Sequence, residues 1–394
     1  MRQKRAYRYR CYPTPEQAAV LARTFGSARF VYNWGLRLRT DAYYQRQERI
    51  GYAATSAALT VLKREPATTW LNDVSSVPTQ QALRHLDRAF RNFFEGRAKY
   101  PGFHKKHGRQ SAEYTTSAFR WDAQAKALTL AKMEAPLTIC WSRPLPDGTT
   151  PSTVTVSRDT AGRYFVSILV EEDIASLPPG DAQVGIDLGL HDTVVLDTGE
   201  QVGNPRFFAQ DEQRLAQAQR RLAKKQRGSK NREKARRKVA RVYARIADRR
   251  NDFLHKLSTR LIRENQTICV ESLQVKAMSK HPTLAKAIHD VGWGELVRQL
   301  TYKAAWYGRT LVAIDKWYPS SKRCSDCGHV LGSLSLDTRC WTCPECGCVH
   351  DRDVNAAKNV LAAGLAVSAC GEAVRPGRVR PPSAGLVEAG IPRL

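Results

Sequence analysis

Apolar positions along the chain change their period more than once, and the changes outline the organisation. Thr14-Pro15-Glu16-Gln17 reads as a helix start: Thr14 can cap, proline fits the first helical position, and Gln17 completes a capping box. A second helical stretch is predicted over Thr79–Phe94, with Leu83, Leu86, Phe90 and Phe93 on one face and Arg84, Arg88 and Arg91 on another. From about Lys105 the period shortens to that of strands. Ala127–Leu130, Leu137–Trp141, Thr153–Ser157 and Tyr164–Val170 are short and β-branched, and predict a small antiparallel barrel. Leu177-Pro178-Pro179-Gly180 then breaks the chain.

Beyond the break, strands are expected at Val184–Asp187 and Thr193–Asp197, then two helices joined at Gly228-Ser229-Lys230-Asn231. Val239, Val242, Ile246, Phe253, Leu257 and Leu261 form one apolar stripe on the second helix. A strand at Thr267–Val270, a helix at Trp293–Tyr307, a strand at Thr310–Asp315 and a helix from about Asp353 complete the pattern. The last 25 or so residues contain Pro376, Pro381, Pro382 and Pro392 with little periodicity, and predict a disordered tail.

Charge turns this pattern towards a partner. The 394 residues carry 63 Lys+Arg against 37 Asp+Glu, a net charge of +26. A compact body so charged calls for a polyanion, and nucleic acid is the usual one. Between Arg214 and Arg250 there are 16 basic and 2 acidic residues, so the basic side chains must cover most of the two helices' circumference. Arg84, Arg88, Arg91, Lys105, Lys106, Lys224, Lys225, Arg227, Lys230, Arg232, Arg236 and Arg237 are the candidate nucleic-acid contacts, and Gln80 and Gln81 could reach base edges. No apolar run approaches the roughly 20 residues of a membrane helix, and the basic N-terminus lacks the apolar core of a secretory signal. The reading is a cytoplasmic, nucleoid-associated protein with no membrane partner.

Six of the ten cysteines fall between Cys324 and Cys348. Cys324-x2-Cys327 and Cys343-x2-Cys346 have the spacing of two zinc knuckles, with Gly328 and Gly347 easing each turn. Four thiolates would close a tetrahedron around one Zn²⁺, leaving no position for water, so the site would be structural. Cys340 and Cys348 are read as ordinary neighbours.

Three acids stand out. Asp187 follows Val184-Gly185-Ile186 and Glu271 follows Ile268-Cys269-Val270, each where a core strand is expected to continue apolar. Asp353 lies in His350-Asp351-Arg352-Asp353-Val354-Asn355-Ala356-Ala357, at a helix start. Acids on adjacent strands plus one on a following helix would hold two Mg²⁺ ions, since Mg²⁺ prefers hard oxygen ligands and three like charges tolerate one another only with cations between them.

Those segments, together with Pro319-Ser320-Ser321-Lys322, Gly26–Asn33 and the Gly228–Arg232 turn, closely resemble the TnpB family, RNA-guided nucleases of insertion sequences related to type V CRISPR effectors. The resemblance spans about residues 1–370. It implies a multidomain α+β chain: a wedge-like β-barrel from residues 1–14 and 101–178, a helical recognition insert at 15–100, a RuvC (ribonuclease H-like) nuclease domain from 179–322 and 350–368, a zinc ribbon at 323–349, and a tail at 369–394. It places the catalytic, Mg²⁺-binding triad on Asp187, Glu271 and Asp353, the last chosen over Asp351, and makes Arg339 a candidate for gripping the scissile phosphate. It implies a guide RNA from the transposon end, double-stranded target DNA beside a short adjacent motif, and a monomer on one RNA. Three readings compete: a nuclease-inactive RNA-guided repressor, an RNA-independent transposase, and a sugar-kinase-like ATPase, against which Leu190 stands where that family has Thr.

Overall fold

The computed structural model describes residues 2–335 and 337–369, so the expected tail lies outside the described residues. The chain divides between Glu172 and Asp173 into two compact units.

The first unit runs β1 (Arg2–Cys11), α1 (Pro15–Arg46), α2 (Tyr52–Leu62), α3 (Ser76–Phe94), β2 (Gln110–Thr115), β3 (Phe119–Asp122), β4 (Ala127–Leu130), β5 (Ile139–Cys140), β6 (Thr153–Arg158) and β7 (Tyr164–Asp173). The capping box forms as expected: the Gln17 amide N–H donates to the Thr14 hydroxyl, and the Thr14 amide to Gln17 Oε1 at 3.0 Å. Gln17 Nε2 then donates to the carbonyls of Ala135 and Pro136, tying the start of α1 to the segment before β5.

The expected barrel does not close. Five strands form an open sheet in the order β2-β6-β7-β1-β5, and β3 pairs only with β4. β5 makes only a two-residue ladder with β1 (Arg10↔Cys140, Cys11↔Ile139), and beside it a backbone bond from the Leu137 amide to the Leu128 carbonyl at 2.8 Å meets β4 without forming a ladder. Leu21 and Phe25 of α1 join Tyr9, Tyr114, Leu128, Val156 and Ile168 in the core instead.

The second unit runs β8 (Gln183–Asp187), β9 (Asp192–Leu196), β10 (Gln201–Gly203), α4 (Phe207–Ala223), α5 (Lys230–Glu264), β11 (Thr267–Glu271), α6 (Val275–Met278), α7 (Ala285–Val291), α8 (Trp293–Tyr307), β12 (Thr310–Ile314), β13 (Cys340–Thr342), β14 (Val349–Asp351) and α9 (Arg352–Ala369). Its sheet has the order β10-β9-β8-β11-β12, with β8, β11 and β12 parallel. Side chains of a strand alternate between faces. Val184, Ile186, Ile268 and Val270 enter one large core with Leu254, Leu257 and Leu261 of α5 and Leu296 and Leu300 of α8. Gly185 and Cys269 take the other face, where α9 lies. No helix among the described residues is long and apolar enough to cross a membrane.

Candidate active site

That alternation decides where the acids point. Asp187 follows Ile186 and Glu271 follows Val270, so both fall on the α9 face, at the ends of neighbouring parallel strands with Ile186 opposite Val270. They do not replace core residues, as the sequence pattern suggested; they end the second face of the sheet. Helix α9 reaches this face because two glycines let it. A Cβ on Gly185 would meet the Ala357 carbonyl oxygen and, at 2.7 Å, Leu361 Cβ. A Cβ on Gly364 would meet the Cys269 thiol.

The first turn of α9 separates its two aspartates. Asp351 Oδ1 accepts the amide hydrogens of Asp353 (3.0 Å) and Val354 (2.9 Å), so Asp351 caps the helix. Asp353, one step inside, turns its carboxylate towards Arg339, whose Nη1 donates to Oδ2 at 3.0 Å. The contact follows from register. Cys340 pairs with Asp351 across β13 and β14, and the Arg352 amide continues the ladder to the Arg339 carbonyl at 2.7 Å, bringing residue 339 beside 353.

Glu271 is held by Ser320, whose hydroxyl donates to Oε1. Ser320 is held in turn: Asn359 Nδ2 donates to its carbonyl (2.9 Å) and to that of Arg323 (2.6 Å), Asn355 Nδ2 donates to the Arg323 carbonyl (2.8 Å), and Asn355 Oδ1 accepts the Ser325 amide. Both asparagines are buried. This clamp locks the 320–325 turn onto α9. Trp317, 79% exposed, lies between the end of β12 and that turn. Sequence reasoning gave none of these residues a role. Ser320 and Asn355 stood inside the quoted motifs, but nothing in local patterning pairs them with residues more than thirty positions away.

Burial, then the negative charges of Glu271 and Asp353, push the Asp187 carboxyl up to about 8. Burial also raises Glu271, opposed by the Ser320 hydrogen bond. A carboxyl that binds its proton more tightly folded than unfolded contributes stability in full below its unfolded value near pH 4, and loses it as pH rises through about 8. In protein stripped of divalent cations, the thermal midpoint of the wild type is therefore expected to fall relative to Asp187→Asn between about pH 5 and pH 9. Parallel melting curves across that range would contradict the arrangement.

The thiols of Cys324, Cys327, Cys343 and Cys346 lie within 4.8 Å of one another, a set able to hold a metal ion. Gly328 (φ 83°) and Gly347 (φ 73°) take the left-handed turns that follow each pair. Among the described residues this is the one group gathered so tightly; the carboxylates stand further apart.

Of the expected nucleic-acid contacts, several are already engaged. Arg232 Nη1 donates to the carbonyls of Leu222 (3.2 Å) and Lys225 (2.8 Å), stapling the turn between α4 and α5. Arg237 pairs with Glu233, Arg91 with Asp87, and Arg84 donates to the Tyr52 hydroxyl. Lys105, Lys106, Lys224, Lys225, Arg227, Lys230 and Arg88 are exposed, and Arg236 is half-buried.

A sheet whose parallel strand ends carry two acids, with a third on a helix closing over them beside a four-cysteine ribbon, is the architecture of a ribonuclease H-like nuclease unit. The OrfB family of IS605-type elements, described as "Probable transposase", matches residues 166–281; a "Cas12f1-like, TNB domain" matches 293–360, and the family's "Helix-turn-helix domain" matches 1–48, where this chain has a strand and one continuous helix. A Streptomyces pristinaespiralis protein named "Putative RNA-guided DNA endonuclease" is 59% identical over 376 residues, covering 95% of this chain and 93% of its own. The Escherichia coli (strain K12) protein named "Putative RNA-guided DNA endonuclease InsQ" is 32% identical, covering 96% of each. The chain therefore belongs to the TnpB-like OrfB family of insertion-sequence proteins. In fold it is similar to the protein of a Cas12f1-sgRNA-target DNA complex, with a TM-score of 0.54 at 14% identity over 88% of this chain and 83% of that one.

Proposed function

We infer that this chain is an RNA-guided DNA endonuclease whose hydrolytic site is Asp187, Glu271 and Asp353. The observation that carries the reading is the convergence of these three acids, from segments more than eighty residues apart, on the one sheet face that α9 covers. The donor set fits divalent cations: hard oxygens only, with Asp187 and Glu271 desolvated and Asp187 raised in proton affinity by its burial and its acidic neighbours, which a cation would relieve. When bound there, a pair of Mg²⁺ ions supplies Lewis acidity to an attacking water and to the leaving oxygen.

The chain's own groups do the rest. Ser320 fixes one Glu271 oxygen by donating to it. Arg339, exposed and already at Asp353, is placed to donate to a phosphate oxygen of the strand being cut, and Trp317 offers a ring on which a neighbouring base can stack. Zn²⁺ on Cys324, Cys327, Cys343 and Cys346 holds the ribbon that carries Arg339. Residues 15–100 act as the recognition part and, with the strands of residues 1–14 and 101–178, read the adjacent motif. The basic helices α4 and α5 hold backbone phosphates while base pairing with the guide reads sequence. One copy of the chain acts on one RNA.

The test is co-expression with the native 3′ flank, sequencing of the co-purified RNA, and incubation with Mg²⁺ and plasmids carrying the matched target beside a randomised flank. Cleavage of matched plasmids bearing one flank motif is expected, falling about a thousandfold or more in Asp187→Ala. Matched plasmids bound but left whole by the wild type would establish the repressor, and cleavage surviving removal of the RNA would establish the transposase.

A further inference from the structure

The α4–α5 hairpin has a cleft that the residues picked from sequence do not line. Its volume is about 320 Å³, and its walls carry Arg214 and Arg221 from α4 and Lys238, Arg241 and Arg245 from α5, with Gln217, Ala218, Ala235 and Val242 between them. On each helix the cations sit at i and i+7 (214 and 221; 238 and 245), with Arg241 at i+3, so each row lies on the face turned to the other helix.

Four other cations of the hairpin are already engaged. Arg232, Arg237, Arg249 and Arg250 are taken by the Leu222 and Lys225 carbonyls, Glu233, Asp211 and the His289 carbonyl. The one acid in the cleft, Asp211, is buried and accepts Arg249 at 3.4 Å, with Arg245 at 4.0 Å. Arg214, Arg221, Lys238 and Arg241 are exposed, with no ion pair or hydrogen bond among the described residues. Four unpaired cations converging across a cleft of this size repel one another until an anion enters.

The spacing says what kind of anion. Seven residues of helix cover roughly 10 Å at 1.5 Å per residue, long enough to face more than one phosphate of a single strand. The position says which strand. The two-residue link from α5 to β11 reverses the chain, so α5 runs antiparallel to β11 and its first half extends past the strand ends where Glu271 sits. By helix rise, Lys238–Arg245 stands roughly 15–25 Å beyond them. Phosphates held there are not those being cut. A cut strand must also leave, whereas converging guanidiniums and an ammonium suit a strand that stays.

We propose that the cleft formed by Arg214, Arg221, Lys238 and Arg241 anchors consecutive backbone phosphates of the guide RNA. The proposal rests on the guided reading above. It is tested by titrating full-length protein with the co-purified RNA, transcribed and labelled, at several salt concentrations and without DNA. The double variant Arg221→Ala/Arg241→Ala is expected to weaken binding about tenfold or more and to lower the slope of log affinity against log salt by about 2. Lys256→Ala/Arg263→Ala removes the same charge from the far half of α5 and is expected to cost less than about threefold. Equal losses in the two variants would mean bulk charge and overturn the cleft. Unchanged RNA affinity with weakened target binding by the loaded complex would give the cleft to DNA, and also overturns the proposal. Wild-type protein that prefers this RNA no more than a scrambled transcript would overturn the guided reading itself. Melting curves of both variants report on folding.

Discussion

Gly185→Val is expected to lower cleavage by at least about a hundredfold without removing a polar atom from the site. The added Cβ must displace α9, because it meets the Ala357 carbonyl and Leu361 Cβ where the helix crosses β8. Overpacking of this kind costs typically 1–3 kcal/mol, and more where backbone is the obstacle. The functional loss is larger than that suggests, because Asp353 rides on the first turn of the helix that moves, while Asp187 and Glu271 stay with the sheet. A 1 Å misplacement of a reacting group can cost a hundredfold in rate. Guide-RNA affinity should be nearly unchanged, since α4 and α5 belong to the other face. Measuring RNA binding, thermal midpoint and single-turnover cleavage on one preparation checks all three. Full cleavage by a folded Gly185→Val protein would mean that α9 need not lie against β8 for the acids to work.

Cys343→Ser, or removal of zinc with a chelator, is expected to be as severe for activity and milder for the rest of the chain. Structural zinc sites in small modules contribute about 10–16 kcal/mol of folding free energy to those modules. The ribbon's own apolar core is small: its buried cluster is Cys324, Trp341 and Cys343, with Leu331 and Leu334 beside them. Losing it removes β13, and with β13 the ladder that brings Arg339 to Asp353. The sheet core of Val184, Ile186, Ile268, Val270, Leu257 and Leu296 contains no ribbon residue and should still melt cooperatively. Metal content, melting and cleavage distinguish this outcome from global unfolding. A zinc-free variant that cuts at the wild-type rate would remove the ribbon from the mechanism.

Much of this was legible in the sequence, for identifiable reasons. Period-two strands ending in Asp187 and Glu271, the two Cys-x2-Cys knuckles, and Thr14 with Gln17 are local patterns, and local geometry decides them. Asp353 could be separated from Asp351 only by resemblance; in the fold the two differ, since Asp351 caps α9 and Asp353 pairs with Arg339. The barrel was misjudged because closure depends on how far a strand pairs, and the β-branched content of Leu137–Trp141 says nothing about a ladder that stops after two residues. The basic helices were read correctly as cationic but not residue by residue. Counting charges cannot show that Arg232 faces carbonyls at the hairpin tip while Arg221 and Arg241 face each other's cleft. The Ser320, Asn355 and Asn359 network links positions more than thirty residues apart, and no periodicity records such a link.

The asparagine clamp also bears on how the site can be rearranged. Because Asn355 and Asn359 hold the carbonyls of Ser320 and Arg323, the entrance to the ribbon and the head of α9 are fastened together ahead of any metal. The stretch from Pro319 to Ala369 thus behaves as a cassette, bearing Arg339, Asp353 and the tether for Glu271 as one piece. In a chimaera with a relative, a splice inside that cassette would divide the clamp between two parents. One placed before Pro319 would carry lock and hinge across together, leaving the sheet to supply only two acids and a glycine-lined seat.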